Sequence, residues 1–475
     1  MRVILQNWGP IRKFEYDFSK NMIVTYGNNN IGKSYAMQVA YLMLKYLLKY
    51  SNRIARIYRI GYFYEEVKRE EKAPEVQVVM NFSQNADLDV EDISKKMEEI
   101  CAKRLAQDMF PMLTDAFENT FGTYEDMRDN GSQVILEIEN RIHCVFDFKN
   151  EKILLDMQRK PTRLRKTVSE FHKSRNGKEQ LDIYVYGNHI STPIELLEEE
   201  ISKMQREFAV QILRNIKSVY FLPASRSGIY TGMSSFAPIL AQLSQSRPYI
   251  RGSIQIPSIP EPISDYYMML SEIRGDVQGH FPEYAEEIEK SVLKGEVSFD
   301  KKSKAILYRS FEDKVQLEMR DTSSMVSEIS PITAFLKYII ERGISLQLKR
   351  LIGQNEQPKS IIFIEEPEAH LHPSNQIALI KAFSKLVKQN VILVLASHSN
   401  YIFNQLNNLI LAKELDENCY SPILLSKNGK KSVSAFMHID ELGVDDENFA
   451  DVSAQLLDER EEIIERIIEA QGENA

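Results

Sequence analysis

The chain has 475 residues, 43% of them hydrophobic, three cysteines and a formal net charge of −9. That length suits two lobes with ordinary cores, and the acidic balance excludes a chain that is basic throughout and coats nucleic acid. Cys101, Cys144 and Cys419 are too few and too scattered for a disulfide framework or a zinc site, so a reducing, cytoplasmic setting is expected. Residues 1–4 start directly as a strand, without the charged, apolar and small-residue order of a signal peptide. The longest apolar helical run, 36–48, is short and interrupted by Gln38 and Lys45, so no membrane span is expected.

In chain order, the apolar run 23–26 predicts a buried strand and 35–47 a helix. Residues 75–80 are strand-like, and 90–121 carry apolar residues at helical spacing. Residues 133–138, 143–148 and 152–155 predict a β meander, and 194–216 a helix returning to a strand around Tyr220. A second excursion, 228–294, contains Pro257, Pro260 and Pro262, which predict an extended, semi-rigid loop. A helix is expected over 332–342, buried strands over 361–364 and 391–395, a further strand at 421–425, and an acidic helix over 452–470. No segment sustains heptads over a long coiled coil.

Between the first strand and helix lies Gly27-Asn28-Asn29-Asn30-Ile31-Gly32-Lys33-Ser34, followed by Tyr35. It fits G-x-x-x-x-G-K-[ST] at every fixed position, in the strand–loop–helix setting where that motif cradles phosphates with backbone N–H groups. Lys33 is expected to reach the β- and γ-phosphates of ATP and Ser34 to ligate Mg²⁺. The 361–364 strand delivers Glu365-Glu366-Pro367-Glu368-Ala369-His370-Leu371-His372-Pro373 at its end. A buried strand ending in acids suits a metal and a water beside a γ-phosphate. Glu365 is expected to orient Mg²⁺ and Glu366 to polarise the attacking water. The 391–395 strand ends in Ala396-Ser397-His398-Ser399, placing His398 to sense the γ-phosphate.

This order of motifs resembles an ABC-class P-loop ATPase of the SMC, RecF and OLD-like branch, and is most similar to its compact bacterial AAA family ATPases. The resemblance is carried by Asn7-Trp8-Gly9-Pro10-Ile11 through Ser34, by Ile364 through Pro373, by Ser397-His398-Ser399, and by Tyr220-Phe221-Leu222-Pro223-Ala224-Ser225-Arg226. It implies an α/β fold: an ABC-type head with a mixed β-sheet core, an N-terminal antiparallel β lobe and an α+β insertion. The expected division is 1–60 for the first part of the head, 61–215 for the insertion, 216–450 for the rest of the head, and 451–475 for the acidic helix. It also implies a homodimer, or a higher oligomer of such pairs, in which a Ser-rich loop of one copy completes the ATP site of the other. Ser323 and Ser324 in Asp321-Thr322-Ser323-Ser324-Met325-Val326 are the candidates; Met325 stands where relatives usually carry Gly. No Q-loop glutamine is identifiable.

Two uses of such a head compete. One is a sensor or regulatory ATPase with a separate toxin or nuclease effector, as in anti-phage systems such as PARIS and Septu. The other is a RecF-like repair ATPase that binds DNA directly. For the second, the sequence offers the basic run 159–166 with Lys173, Arg175 and Lys178, opposed only by Glu170. The same run also reads as a solvated charged loop. OLD-type nucleases continue into a TOPRIM domain; residues 400–475, with Asp445, Asp446 and Asp451, lack its acidic arrangement, and no nuclease site is expected.

Overall fold

The computed structural model describes residues 1–59, 90–159, 162–167, 173–174, 181–186, 191–232, 259–277, 279–440, 442–446, 456–464 and 466. In chain order, β1 (Arg2–Trp8) and β2 (Ile11–Asp17) form a hairpin, and β3 (Met22–Tyr26) leads through the glycine-rich loop into a helix over Lys33–Arg59. Then come β4 (Val90–Asp92), a helix over Ser94–Thr120, β5 (Gln133–Ile138), β6 (Ile142–Asp147), β7 (Lys152–Met157), β8 (Thr162–Thr167), β9 (Lys173–Ser174), β10 (Leu181–Tyr186), a helix over Ser191–Asn215 and β11 (Ile216–Leu222). Helices over Glu261–Ser271 and Pro282–Ile288 precede β12 (Gly295–Asp300), β13 (Ala305–Ser310) and β14 (Gln316–Glu318). The rest alternates: a helix over Ser324–Tyr338, β15 (Lys359–Glu365), a helix over Pro373–Leu386, β16 (Val391–Ala396), a helix over Asn400–Leu411, β17 (Tyr420–Asn428) and β18 (Lys431–Phe436).

Eleven strands form one mixed sheet in the order β11-β15-β16-β3-β17-β18-β2-β1-β5-β6-β7. From β11 to β17 the pairs are parallel. β18 turns back on β17 and runs parallel to β2, and the remaining pairs are antiparallel. The sequence explains the division. Parallel strands are covered on both faces and read as unbroken apolar runs; antiparallel strands with one wet face alternate. β16 is buried throughout and β15 from Ser360 on, whereas β7 alternates exposed and buried residues. Ile361 and Phe363 of β15 face one core with Ile392, Val394 and Tyr41; Ile362 and Ile364 face the other with Leu393, Leu395 and Phe383.

Several expectations change. The strands at 133–157, expected within a separate insertion, pair through β1–β5 and extend the head sheet itself. The predicted helix over 90–121 begins after a short strand, β4. The first helix runs on to Arg59 because its apolar face continues through Tyr50, Ile54 and Ala55, and it packs against the Ser94–Thr120 and Ser191–Asn215 helices. Of the basic run, residues 162–167 form β8 rather than a loop, paired with β10 in a small four-stranded sheet. Pro262 opens the Glu261–Ser271 helix, where a missing N–H costs nothing. The helix expected over 332–342 begins at Ser324 and ends at Tyr338. The strand at 75–80 and the stretch 254–258 lie outside the described residues. Of the acidic C-terminal helix, 456–464 and 466 are described and helical. No helix among the described residues is long and apolar enough to cross a membrane.

Candidate functional site: a phosphate loop beside two acidic and switch strands

Register sets the site. β15, β16 and β3 are neighbours, and Glu365, Ala396 and Thr25 lie level across them. All three strands therefore end at one edge of the sheet, where loops leaving parallel strands form a crevice. Ser397 N donates to Thr25 O at 3.1 Å, tying the switch loop to the strand that leads into the phosphate loop.

The loop backbone demands glycine at two points. Gly27 has φ +133°, and a Cβ there would lie 2.3 Å from Leu425 O; Gly32 has φ +105°, and a Cβ would lie 2.9 Å from Pro10 Cγ. Asn30 takes the left-handed region at φ +58°, which Asn tolerates. Asn28 and Asn29 are exposed, Ile31 is buried in the core, and Tyr35 stacks on Phe121 at 5.2 Å. Lys33 is buried; its Nζ donates to Gly27 O (2.7 Å) and Asn28 O (2.8 Å) and lies 3.5 Å from His398 Nδ1. Burial lowers its pKa to about 8, against the pull of Glu366 and Glu368.

Glu365 is buried. Oε2 accepts from Ala224 N at 3.2 Å, and Oε1 has no partner. Burial raises its pKa, while Ala224 N–H and the Ser34 hydroxyl hold it down. A carboxylate with an unused oxygen beside a Ser hydroxyl fits the oxygen donor set of Mg²⁺. Glu366 is exposed at the strand end in the left-handed region, φ +43°. Its N donates to Ala396 O at 3.0 Å, and its O accepts from Ala369 N at 3.1 Å. Burial and the Lys33 charge lower the His398 pKa, which favours the neutral ring.

Ser323 and Ser324 are not part of this crevice. They are exposed at the N-terminus of the Ser324–Tyr338 helix, where the Ser323 side chain caps nothing. That helix packs mainly on the Pro282–Ile288 helix, β12 and β13.

The structure gives specific contacts to two residues that the sequence motifs contained without assigning them a role, Glu368 and Arg226. Glu368 Oε1 accepts from His398 N (2.6 Å) and Ser397 Oγ (3.0 Å), which fixes the switch loop. Its pKa is raised, chiefly by burial. Arg226 is fully buried behind Glu365 and Glu366. The signals were present in Glu-Pro-Glu and in the Pro223–Arg226 string, but the partners are remote in sequence.

Fold and site define a P-loop ATPase with a parallel core joined to an antiparallel lobe. The chain belongs to the AAA ATPase domain family, which matches residues 1–403. Among solved structures it is similar to the SMC head domain from Thermotoga maritima, at 7% identity and TM-score 0.35, covering 92% of this chain and 98% of that one. A Smc head bound to the C-winged helix domain of ScpA matches at 9% and 0.35 (93% and 98% covered). The Smc head with an extended coiled coil, bound to the C-terminal domain of ScpA, from Pyrococcus furiosus matches at 9% and 0.33 (98% of both chains). No curated protein matches.

Proposed function

We propose that this ATPase is an ATP-gated switch: two copies close face to face over ATP and Mg²⁺, and hydrolysis loosens the pair. The observation that carries the reading is the convergence of Lys33, Glu365, Glu366 and His398 at the ends of three adjacent parallel strands. Lys33 exchanges its two loop carbonyls for phosphate oxygens. Ser34 and Glu365 would hold Mg²⁺, whose charge would offset that of the phosphates. Glu366, exposed and fixed at its backbone, takes the proton of the attacking water. Neutral His398 donates to the γ-phosphate, and Glu368 holds its loop. Ser323 and Ser324 of the second copy offer hydroxyls and a helix N-terminus to the same phosphate.

The biological use we infer is a sensor or regulatory subunit of a bacterial anti-phage or toxin–antitoxin-like module with a separate effector. Its support is a compact head: the two longest described helices, 27 residues each, pack on one another instead of projecting as an arm. The test is to purify tagged Glu366→Gln protein from its native host with ATP and Mg²⁺ and identify what accompanies it. A stoichiometric toxin- or nuclease-like protein is expected. DNA without a protein partner would overturn the effector reading in favour of a DNA-binding repair ATPase.

A further inference from the structure

We propose that Arg226 is a positioning residue for hydrolysis, tying the Glu365–Glu366 turn to Glu328 in the helix that carries Ser323 and Ser324 at its start. The proposal rests on the ATPase reading above and deepens it: it identifies how the far end of the composite site acts on the catalytic carboxylate, Glu366.

Arg226 follows β11 in the turn Pro223-Ala224-Ser225-Arg226, next to β15 in the sheet. It is 0% exposed. Nη1 donates to Glu365 O (2.8 Å) and Pro223 O (3.2 Å), and Nη2 to Glu366 O (3.3 Å). On its other side, Nε donates to Glu328 O at 2.9 Å and lies 3.4 Å from Glu328 Oε2. Glu328 is 2% exposed. Its carboxylate also accepts from Arg226 N (3.0 Å), Ser227 N (3.1 Å) and Ser227 Oγ (2.6 Å). Tyr266 OH donates to Arg226 O at 3.2 Å.

A buried ion pair alone is weak evidence for anything but packing, since apolar residues often fill such a space at no loss of stability. Three observations separate this one. The guanidinium is directed at the carbonyls of the two acids that the site uses. Glu366 sits in a left-handed conformation that a non-glycine residue holds only when its surroundings impose it, and Arg226 is one of the groups imposing it. The same turn binds the Glu365 carboxylate through Ala224 N. The pair is thus a rigid strut between the exposed Ser323–Ser324 end and the backbone under Glu366. A shift of that helix when its serines engage a phosphate moves Glu328, hence Arg226, hence the Glu366 carbonyl.

The test compares ATP affinity, with a fluorescent ATP analogue, and kcat in the full chain. Arg226→Gln is expected to lower kcat about 100-fold, the cost of a misplaced catalytic group, with Kd changed less than about threefold. Arg226→Lys should recover part of kcat. Glu328→Gln should also lower kcat, and the double variant should be no worse than Arg226→Gln, because members of one unit are not additive. Ser227→Ala removes a single bond to Glu328 without stranding a charge; a several-fold fall in its kcat at unchanged Kd is expected and decides the matter if the Arg226 variants fail to fold. Unchanged kcat in Arg226→Gln or in Ser227→Ala, parallel loss of Kd and kcat, or additive losses in the double variant would each overturn the proposal. Lys33→Ala and Glu366→Gln run alongside: turnover surviving in those two would refute the ATPase reading itself.

Discussion

Two helix N-termini serve the proposed chemistry, and they are built in opposite ways. The one at Lys33 is enclosed: its loop takes positive φ at Gly27, Asn30 and Gly32, its lysine is buried, and its donors are met by the loop's own carbonyls. The one at Ser324 is exposed, and the serine before it caps nothing. The first end is complete within one chain and needs only a ligand to compete with two carbonyls. The second has a helix dipole and two hydroxyls facing outward, which suits contact with a ligand held by another copy. On the proposed reading, the difference assigns binding to one chain and commitment to hydrolysis to two.

The sharpest way to break this comparison is at Glu366. Glu366→Gln should lower kcat about 1,000-fold while leaving ATP affinity intact, as expected for loss of a general base; single-turnover measurement checks it, and near-normal turnover would move the catalytic role elsewhere. Next, Lys33→Ala should weaken ATP binding about 100-fold, the worth of charge-assisted hydrogen bonds to phosphate, read by equilibrium titration. Ser323→Arg should reduce turnover by a similar factor of about 100, the scale of losing preorganised phosphate donors, yet leave thermal unfolding within about 0.5 kcal/mol because the position is exposed. Normal turnover in that variant would place the second end of the site on another loop. The smallest effect is on stability: Gly27→Ala should cost about 2 kcal/mol in chemical denaturation, from overpacking against Leu425 O at a positive φ.

The same contrast explains what was legible. β3, β15 and β16 are central parallel strands, so their burial on both faces appears directly as apolar runs, and the residues that end them are the motif residues. The start of the Ser324–Tyr338 helix was missed because Ser327, Glu328, Ser330 and Pro331 look like loop residues, yet all four are buried. Glu328 is tolerated there only because Arg226 and Ser227, a hundred residues earlier, satisfy it; Ser330 Oγ turns back to Val326 O at 2.7 Å. Strands β5 to β7 were read as strands, but their place in the head sheet depends on pairing with β1, which no local pattern encodes. Arg226 and Glu368 stood within the motif strings, but their contacts were hidden for the same reason: their partners are set by the fold.

The most direct test of the central claim is the mass of Glu366→Gln protein by light scattering in ATP–Mg²⁺ and in ADP–Mg²⁺, with and without Ser323→Arg. The account predicts a change from one association state in ADP to twice that mass in ATP, abolished when Ser323→Arg is added. The same mass in both nucleotides would contradict it.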